Sequence, residues 1–366
     1  MQLSSRATTP AHTHDPARST ATLSKKTLPE LLGSHWRFLI ALVVAVATVA
    51  IWRSMLTYPT TLNDLYTLYY GAKAWWHGDG AYNLALVVPP EHYTQPLYQI
   101  GNLYPLVAVL VVLPLTVLPP TAAAVVWLSL LVAGLMIALR LSGWSLWLLL
   151  YLPVVNAIYA EQYTLFILVW QILALWAYRT KRPWMLALCC TLILSKPNQG
   201  LIFVLALVFL SRYWKQCALV GGLVWGSSIL LDPHWIGEWL AMLSRHQGSG
   251  QQPIVWWLAL FALPLLLVRN YVGAAVLLQF LIMPYPHAAY PLSTTPLGTL
   301  GDARYRWLIP ISFLWVLVHL LIGEVWASVL TLILPMIVLS LTTTAARQHL
   351  VRWKRSLAHA PAELQR

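Results

Sequence analysis

The chain reads as an all-α polytopic membrane protein on three observations. Of its 366 residues, 59% are hydrophobic and only 9% charged, against about 25% charged in an ordinary soluble protein. The apolar residues run in long stretches of Leu, Val, Ala and Trp, whereas barrel strands alternate over about ten residues. Lys and Arg gather in the short connectors between these stretches, as the positive-inside rule requires. The net charge of +12 therefore belongs to membrane topology, and no basic soluble domain is there to hold nucleic acid. The 20 Trp and 17 Tyr suit interfacial belts.

The elements follow in order. Residues 1–34, rich in Thr, Ser, Pro and His, read as a disordered cytoplasmic tail, held inside by Arg18, Lys25, Lys26 and Arg37. The first span, 38–55, starts too late and runs too long for a signal peptide. Residues 56–103 form an external loop with juxtamembrane helices, carrying Asp64, Asp79 and Glu91. Residues 104–118 are apolar but short and bracketed by Pro105, Pro114 and Pro119, which predicts an interfacial or re-entrant helix. Span 121–139 descends to Arg140, 143–159 ascends to Glu161-Gln162, and 163–178 descends to the basic cluster Arg179-Thr180-Lys181-Arg182.

The interval between the basic turns 179–182 and 212–215 is too short for two full crossings. It predicts two half-crossings, 184–194 and 200–211, meeting at Ser195-Lys196-Pro197-Asn198-Gln199-Gly200. Non-helical backbone at that depth is tolerated only where it is buried in protein or lines a cavity, so Lys196 should line a cavity open to the outside. Thereafter 216–231 ascends, 232–253 lies outside, 254–268 descends to Arg269, 271–286 ascends, 287–305 lies outside, 307–322 descends and 325–341 ascends. This count strands the basic tail (Arg347, Arg352, Lys354, Arg355) outside, against the charge rule. It divides the chain into an N-terminal module, 35–215, a C-terminal module, 216–343, and a basic tail, 344–366, with about 10–12 transmembrane helices in all.

Ionisable groups at membrane depth are costly and mark functional sites. Asp64, one of only 11 acids in the chain, falls where the chain leaves the membrane after the first span. Cys189, Cys190 and Cys217 match neither a zinc spacing nor a disulfide framework and read as small core residues. No metal or other cofactor is expected.

Four segments resemble glycosyltransferase family 87, of the GT-C superfamily of polyprenyl-phosphate-sugar-dependent enzymes. Asp64-Leu65-Tyr66 through Gly71-Ala72, Gly78 and Tyr82 resembles its acid–tyrosine–glycine–tyrosine signature. Leu103-Tyr104-Pro105-Leu106 with Pro114, Ala122–Ala124 and Trp127 resembles its Tyr-Pro-Pro stretch, with Leu106 for the second proline. Glu161-Gln162 is placed like its Gly-Gln pair, with Glu for Gly, and Lys196-Pro197 resembles its Lys-Pro turn. Further on, Ser249-Gly250-Gln251-Gln252 resembles a polar loop and Pro284-Tyr285-Pro286-His287 a proline–histidine segment near the active site. The resemblance spans roughly residues 60–200 and fades towards the C-terminus. It implies a GT-C fold with a variable C-terminal module. It also implies inverting transfer of a hexose, typically mannose, from a polyprenyl phosphate to a lipid or glycan acceptor at the outer face of a bacterial plasma membrane.

That chemistry needs a base for the acceptor hydroxyl and fixed cations for the leaving phosphate. Asp64 is the candidate base. Lys196, His287 and Arg304 are candidates for the phosphate, and Tyr66, Tyr70, Glu161, Gln162 and Gln251 for the substrates. Each has a plainer alternative. Asp64 is a favoured N-cap for the helix that follows, Lys196 can snorkel, Glu161 can be a loop acid, His287 a hydrogen-bonded histidine, Arg304 a span flank, and the tyrosines belt aromatics. A transporter or flippase of lipid-linked glycans also asks for a charged, externally open cavity, but it should carry paired broken helices in matching halves, and the sequence has one clear break.

Overall fold

Proline and basic turns cut the apolar chain into short helices. The computed structural model describes residues 43, 64–83, 102–247, 256–282, 290–299 and 303–342, all within the unit Ala41–Arg366. Among the described residues every regular element is helical.

Helix α1 (Asp64–Trp76) lies in the expected external loop. Helix α2 (Leu106–Val112) passes into a 3₁₀ turn, Leu113–Val117, at Pro114, so 104–118 is as short as its prolines imply. Pro120, at the first turn of α3 (Pro120–Leu141), costs no hydrogen bond there, and α3 runs 22 residues. A 3₁₀ turn, Leu146–Leu150, precedes α4 (Leu152–Tyr159), and α5 (Thr164–Arg179) follows. Helices α6 (Pro183–Ile193) and α7 (Pro197–Ser211) are the two half-length pieces predicted around Lys196. Then come α8 (Trp214–Leu231) and α9 (Trp235–Gln247). After them stand α10 (Ala262–Leu267) behind a 3₁₀ turn, Trp256–Phe261, and α11 (Tyr271–Leu278), which passes into Gln279–Leu281. Last are α12 (Leu308–Ile322), α13 (Glu324–Ser328) and α14 (Leu334–Leu341), the last two joined by a π-helical turn, Val329–Ile333.

Two of the described helices are long and apolar enough to cross a bilayer: Pro120–Leu141, and α12 with the turn before it, Arg304–Ile322. The other apolar pieces are shorter, and proline accounts for several breaks: Pro153 stands in the first turn of α4 and Pro335 in the first turn of α14. Large apolar side chains face outward along α3 (Val125, Leu130, Ile137), α7 (Leu205, Phe209), α8 (Leu223, Leu230) and α12 (Leu314, Leu317, Leu321).

One part of the expected topology is corrected. Residues 287–305 read as an external loop, with 307–322 running opposite to 143–159. In the structure the Ser145 amide donates to Tyr305 Oη at 2.6 Å and the Leu152 amide to Ser312 Oγ at 3.0 Å. The constant offset of 160 residues means that α12 runs parallel to α4. The missed element is a ten-residue 3₁₀ helix, Tyr290–Thr299, buried through Ser293, Thr294, Thr295, Leu297 and Thr299. Thr295 Oγ1 meets Tyr151 Oη at 2.7 Å. Gly298 O accepts from Asn270 Nδ2 at 2.5 Å and from Ser340 Oγ at 3.0 Å. The 3₁₀ helix thus ends beside the start of α11 and the end of α14, and Arg304 Nη2 donates to Thr342 O at 3.0 Å. Its serines, threonines and prolines carry no apolar run, which is why hydropathy hides it. With this extra pass, α14 ends at the same end of the bundle as the Ser145 turn, three residues beyond the C-cap of α3.

Candidate active site

The site is built where the two half-length helices meet. Pro197 disfavours a helical residue before it; Lys196 breaks out at φ −129°, ψ 78° and α7 begins afresh. Its side chain is 8% exposed. The ammonium donates to Tyr104 Oη and to Thr164 Oγ1, both at 3.1 Å, and lies 5.1 Å from the Tyr104 ring centroid. Burying an ammonium costs several kcal/mol before pairing, and the two hydroxyls offset part of that cost.

The break is held from behind. Gln279, 4% exposed, donates through Nε2 to Asn198 O at 2.9 Å and to Pro197 O at 3.4 Å, and its Oε1 accepts from the Ile202 amide at 3.0 Å. One carboxamide therefore ties together the first turn of α7. Tyr163 Oη meets Ser195 Oγ at 2.8 Å, and Gln171 Nε2 donates to Gln199 O at 3.2 Å. The wall beside Lys196 is aromatic: Tyr163 lies 5.3 Å from Tyr104, 5.9 Å from Trp127 and 5.0 Å from Phe166, centroid to centroid.

Helix α1 is fixed to the same place. Tyr82 Oη donates to Tyr104 O at 3.1 Å, Asn102 Nδ2 to Ala81 O at 3.3 Å, and Tyr69 Oη to Leu118 O at 2.8 Å. Gly71 lets this contact close: a Cβ there would stand 2.7 Å from Asn102 Nδ2 and 2.9 Å from Ala81 O. Tyr66 stacks on buried Tyr70 at 6.3 Å. Burial, and then the Glu161 charge, push the Tyr66 phenol above its ordinary range. Glu161 is therefore within electrostatic reach of Tyr66 in the first turn of α1, and it stands three residues before Thr164, which holds Lys196.

Glu161 has an unfavourable conformation. Its φ is +49°, in the left-handed region where a side chain costs about 1–2 kcal/mol. It also follows the C-terminal end of α4, where the helix dipole disfavours an anion. Among the described residues the other non-glycine positions of positive φ are Lys181, Arg212 and Arg269, cations at helix C-termini, as the dipole prefers. The strain explains why a glycine suits this position in a Gly-Gln pair.

The candidate residues divide as follows. Lys196, Tyr66, Tyr70, Glu161 and buried Gln162 are brought to this end of the bundle. Asp64 is the first residue of α1, and its side chain lies outside the described residues, as do Gln251 and His287. Arg304 is not brought here: it is exposed and held at Thr342 O, beside the Ser145 turn beyond the far end of α3. Tyr104, Thr164 and Gln279 carry the site without having been assigned a role from sequence. Tyr104 stood in the Tyr-Pro stretch, Thr164 is one turn past Glu161, and Gln279 is a lone carboxamide in an apolar run.

The comparison with known families decides the assignment. The model of glycosyltransferase family 87 matches residues 102–292, just over half of the 366. The chain belongs to glycosyltransferase family 87. The matched stretch holds Tyr104, Trp127, Glu161, Thr164, Lys196 and Gln279, so the hydroxyl–ammonium cluster lies wholly inside the family 87 region. It begins after α1, leaving Asp64, Tyr66 and Tyr70 upstream, and it extends well past residue 200, where the sequence resemblance faded. No curated protein and no solved structure matches the chain. As a member of family 87 it is a glycosyltransferase.

Proposed function

We propose that this family 87 enzyme lies in a membrane and moves a hexose, mannose in the first instance, from a polyprenyl phosphate to a lipid or glycan acceptor. The observation that carries this reading is the buried Lys196 ammonium between Tyr104 Oη and Thr164 Oγ1, with Tyr104 tied through Tyr82 to the segment that follows the helix Asp64 opens.

Membrane embedding is supported by the outward Leu, Val and Phe side chains, since soluble monomers rarely expose large contiguous apolar patches. Charge supports it too. Arg140, 179–182, Arg212, Lys215, Arg269, Arg304 and Arg306 are at helix ends on one side of the bundle, while α1, Glu161, Asp232 and Glu238 are on the other. With the extra 3₁₀ pass, α14 ends on the basic side, which removes the conflict with the positive-inside rule that the sequence count raised. The site then opens at the acidic, outer side.

In this mechanism Asp64 takes the proton of an acceptor hydroxyl as that oxygen attacks the anomeric carbon. The bond from that carbon to the donor phosphate oxygen breaks, and its electron pair leaves with the polyprenyl phosphate. Attack opposite the leaving group inverts the anomeric centre. Lys196 stabilises the negative charge that develops on the phosphate. Glu161, with Gln162, accepts hydrogen bonds from sugar hydroxyls; strained, costly residues of this kind gather at working sites. A flippase would share the buried cation but not the family's chemistry.

The test is transfer itself. Purified protein given polyprenyl-phosphate-mannose and a lipid acceptor extract should form a new glycolipid, and Asp64→Asn should abolish it at equal expression. Undiminished turnover by Asp64→Asn would remove Asp64 as base, and no glycolipid from the unaltered protein would remove this donor.

A further inference from the structure

Trp127 is the one member of the aromatic wall carrying an N–H that the wall does not use. It sits two turns into α3, 4% exposed. Its ring lies nearly parallel to Tyr163 (5.9 Å, 9°) and to Phe166 (5.9 Å, 20°). Both rings belong to the start of α5, so these contacts hold the indole of α3 against that helix. Yet its Nε1 is buried and meets no acceptor among the described residues. Buried indole N–H groups normally find a partner, and an orphaned donor away from water destabilises the fold that holds it. Phenylalanine would fill the same seam without that penalty.

The orphan has a place in the chemistry. Tyr163 touches Trp127 with one face and Tyr104 at 5.3 Å, and Tyr104 is the residue whose hydroxyl receives Lys196. The unused donor and the buried ammonium thus belong to one contiguous cluster, from α3, α5 and the α6–α7 break. An indole nitrogen donates only, so its partner must be an acceptor. Two rings, Tyr163 and Tyr104, link the indole to the ammonium, and in a cluster that holds a cation the acceptor that fits is an anion's oxygen.

We propose that Trp127 is a second anchor for the lipid-linked donor, its indole N–H donating to an oxygen of the phosphate that Lys196 attracts. The proposal rests on the polyprenyl-phosphate reading above and adds a binding residue to it. Lys196 supplies charge without direction; a planar N–H adds direction, which distinguishes a seated phosphate from one merely attracted. The donor hydrogen bond to a charged group also explains why a tryptophan is kept where the apo protein gains nothing from its nitrogen.

The experiment is binding of polyprenyl phosphate, polyprenol and inorganic phosphate to the full chain in nanodiscs, with apo thermal stability measured alongside. Trp127→Phe keeps the ring and removes the donor. It should weaken polyprenyl phosphate binding about tenfold or more, leave polyprenol binding unchanged, and leave apo Tm equal or higher. Inorganic phosphate should lose affinity in the same ratio if the headgroup alone makes the contact. Replacing Trp127 by benzothienylalanine, which puts sulfur in place of the N–H, should give the same loss without altering ring size. Equal polyprenyl phosphate affinity in both variants overturns the proposal, as does a fall in apo Tm with unchanged affinity, which would mean that a structural water holds the N–H. If the unaltered protein itself binds no polyprenyl phosphate, the donor reading fails first and this proposal with it.

Discussion

Lys196 and Tyr104 are 92 residues apart in the chain, and the lysine ammonium donates to the tyrosine hydroxyl at 3.1 Å. That contact joins the Tyr-Pro stretch to the Lys-Pro turn, and Thr164, on the same ammonium at 3.1 Å, joins both to the turn that holds Glu161. Three separated motifs therefore describe one place.

Lys196→Met should separate binding from folding. It removes a buried charge together with its hydrogen bonds to Tyr104 and Thr164, so Tm should change only modestly. Donor affinity should fall ten- to a hundredfold, as for a lost hydrogen bond to a charged group (about 1.5–3 kcal/mol). Kinetics at varied donor concentration check this. A large fall in Tm with unchanged donor KM would make Lys196 a structural residue.

Gln279→Leu should loosen the helix break without touching substrate. Three backbone groups of α7, Pro197 O, Asn198 O and the Ile202 amide, lose their partner, at a cost of about 1–3 kcal/mol. Lys196 immediately precedes this turn, so donor KM should rise together with the fall in Tm. Thermal unfolding and donor titration of one sample check both, and a normal KM in a destabilised protein would uncouple Gln279 from the site.

Glu161→Gly should stabilise the protein and harm it. Glycine accepts φ +49° without the side-chain strain and removes an anion from a helix C-terminus, a gain of about 1 kcal/mol. Turnover should drop, because the carboxylate facing α1 is gone. In Glu161→Gln the Tyr66 phenol should titrate lower than in the unaltered protein, since the Glu161 charge is the second cause, after burial, of its raised value. The sign is that of a raised acid: the favourable protonated phenol persists below the ordinary tyrosine range and is lost as pH climbs through the raised one. Tyrosinate absorbance, differenced against Tyr66→Phe, reads it, and identical titration curves would take Glu161 away from α1.

Gly71→Ala should displace α1. The added Cβ would stand 2.9 Å from Ala81 O, a backbone atom that cannot swing aside, and overpacking of this kind costs about 1–3 kcal/mol. Because α1 begins with Asp64, kcat should fall more than donor KM changes. Unchanged kcat would show that α1 does not position the base.

Which parts of this were legible in the sequence follows from what each signal measures. The break at Lys196-Pro197 was readable because two basic turns fixed its ends and proline its middle. The α12 direction was misread, since the intervening pass, Tyr290–Thr299, is built from Ser, Thr and Pro whose hydroxyls find partners inside the bundle, as Thr295 does on Tyr151. Hydropathy sees such a segment as a loop. Gln279 was hidden for the opposite reason: a single polar residue in an apolar run looks incidental until the carbonyls it serves, 81 and 82 residues upstream, fold against it. Glu161 was visible only as a departure from glycine, and its backbone angle supplies the meaning.

The most direct measurement is a cryo-EM structure of the full chain with bound polyprenyl phosphate. The account predicts a phosphate oxygen within about 3 Å of Lys196 Nζ and the Asp64 carboxylate opening on the same cavity. A phosphate seated elsewhere, or an Asp64 side chain turned to lipid, would contradict it.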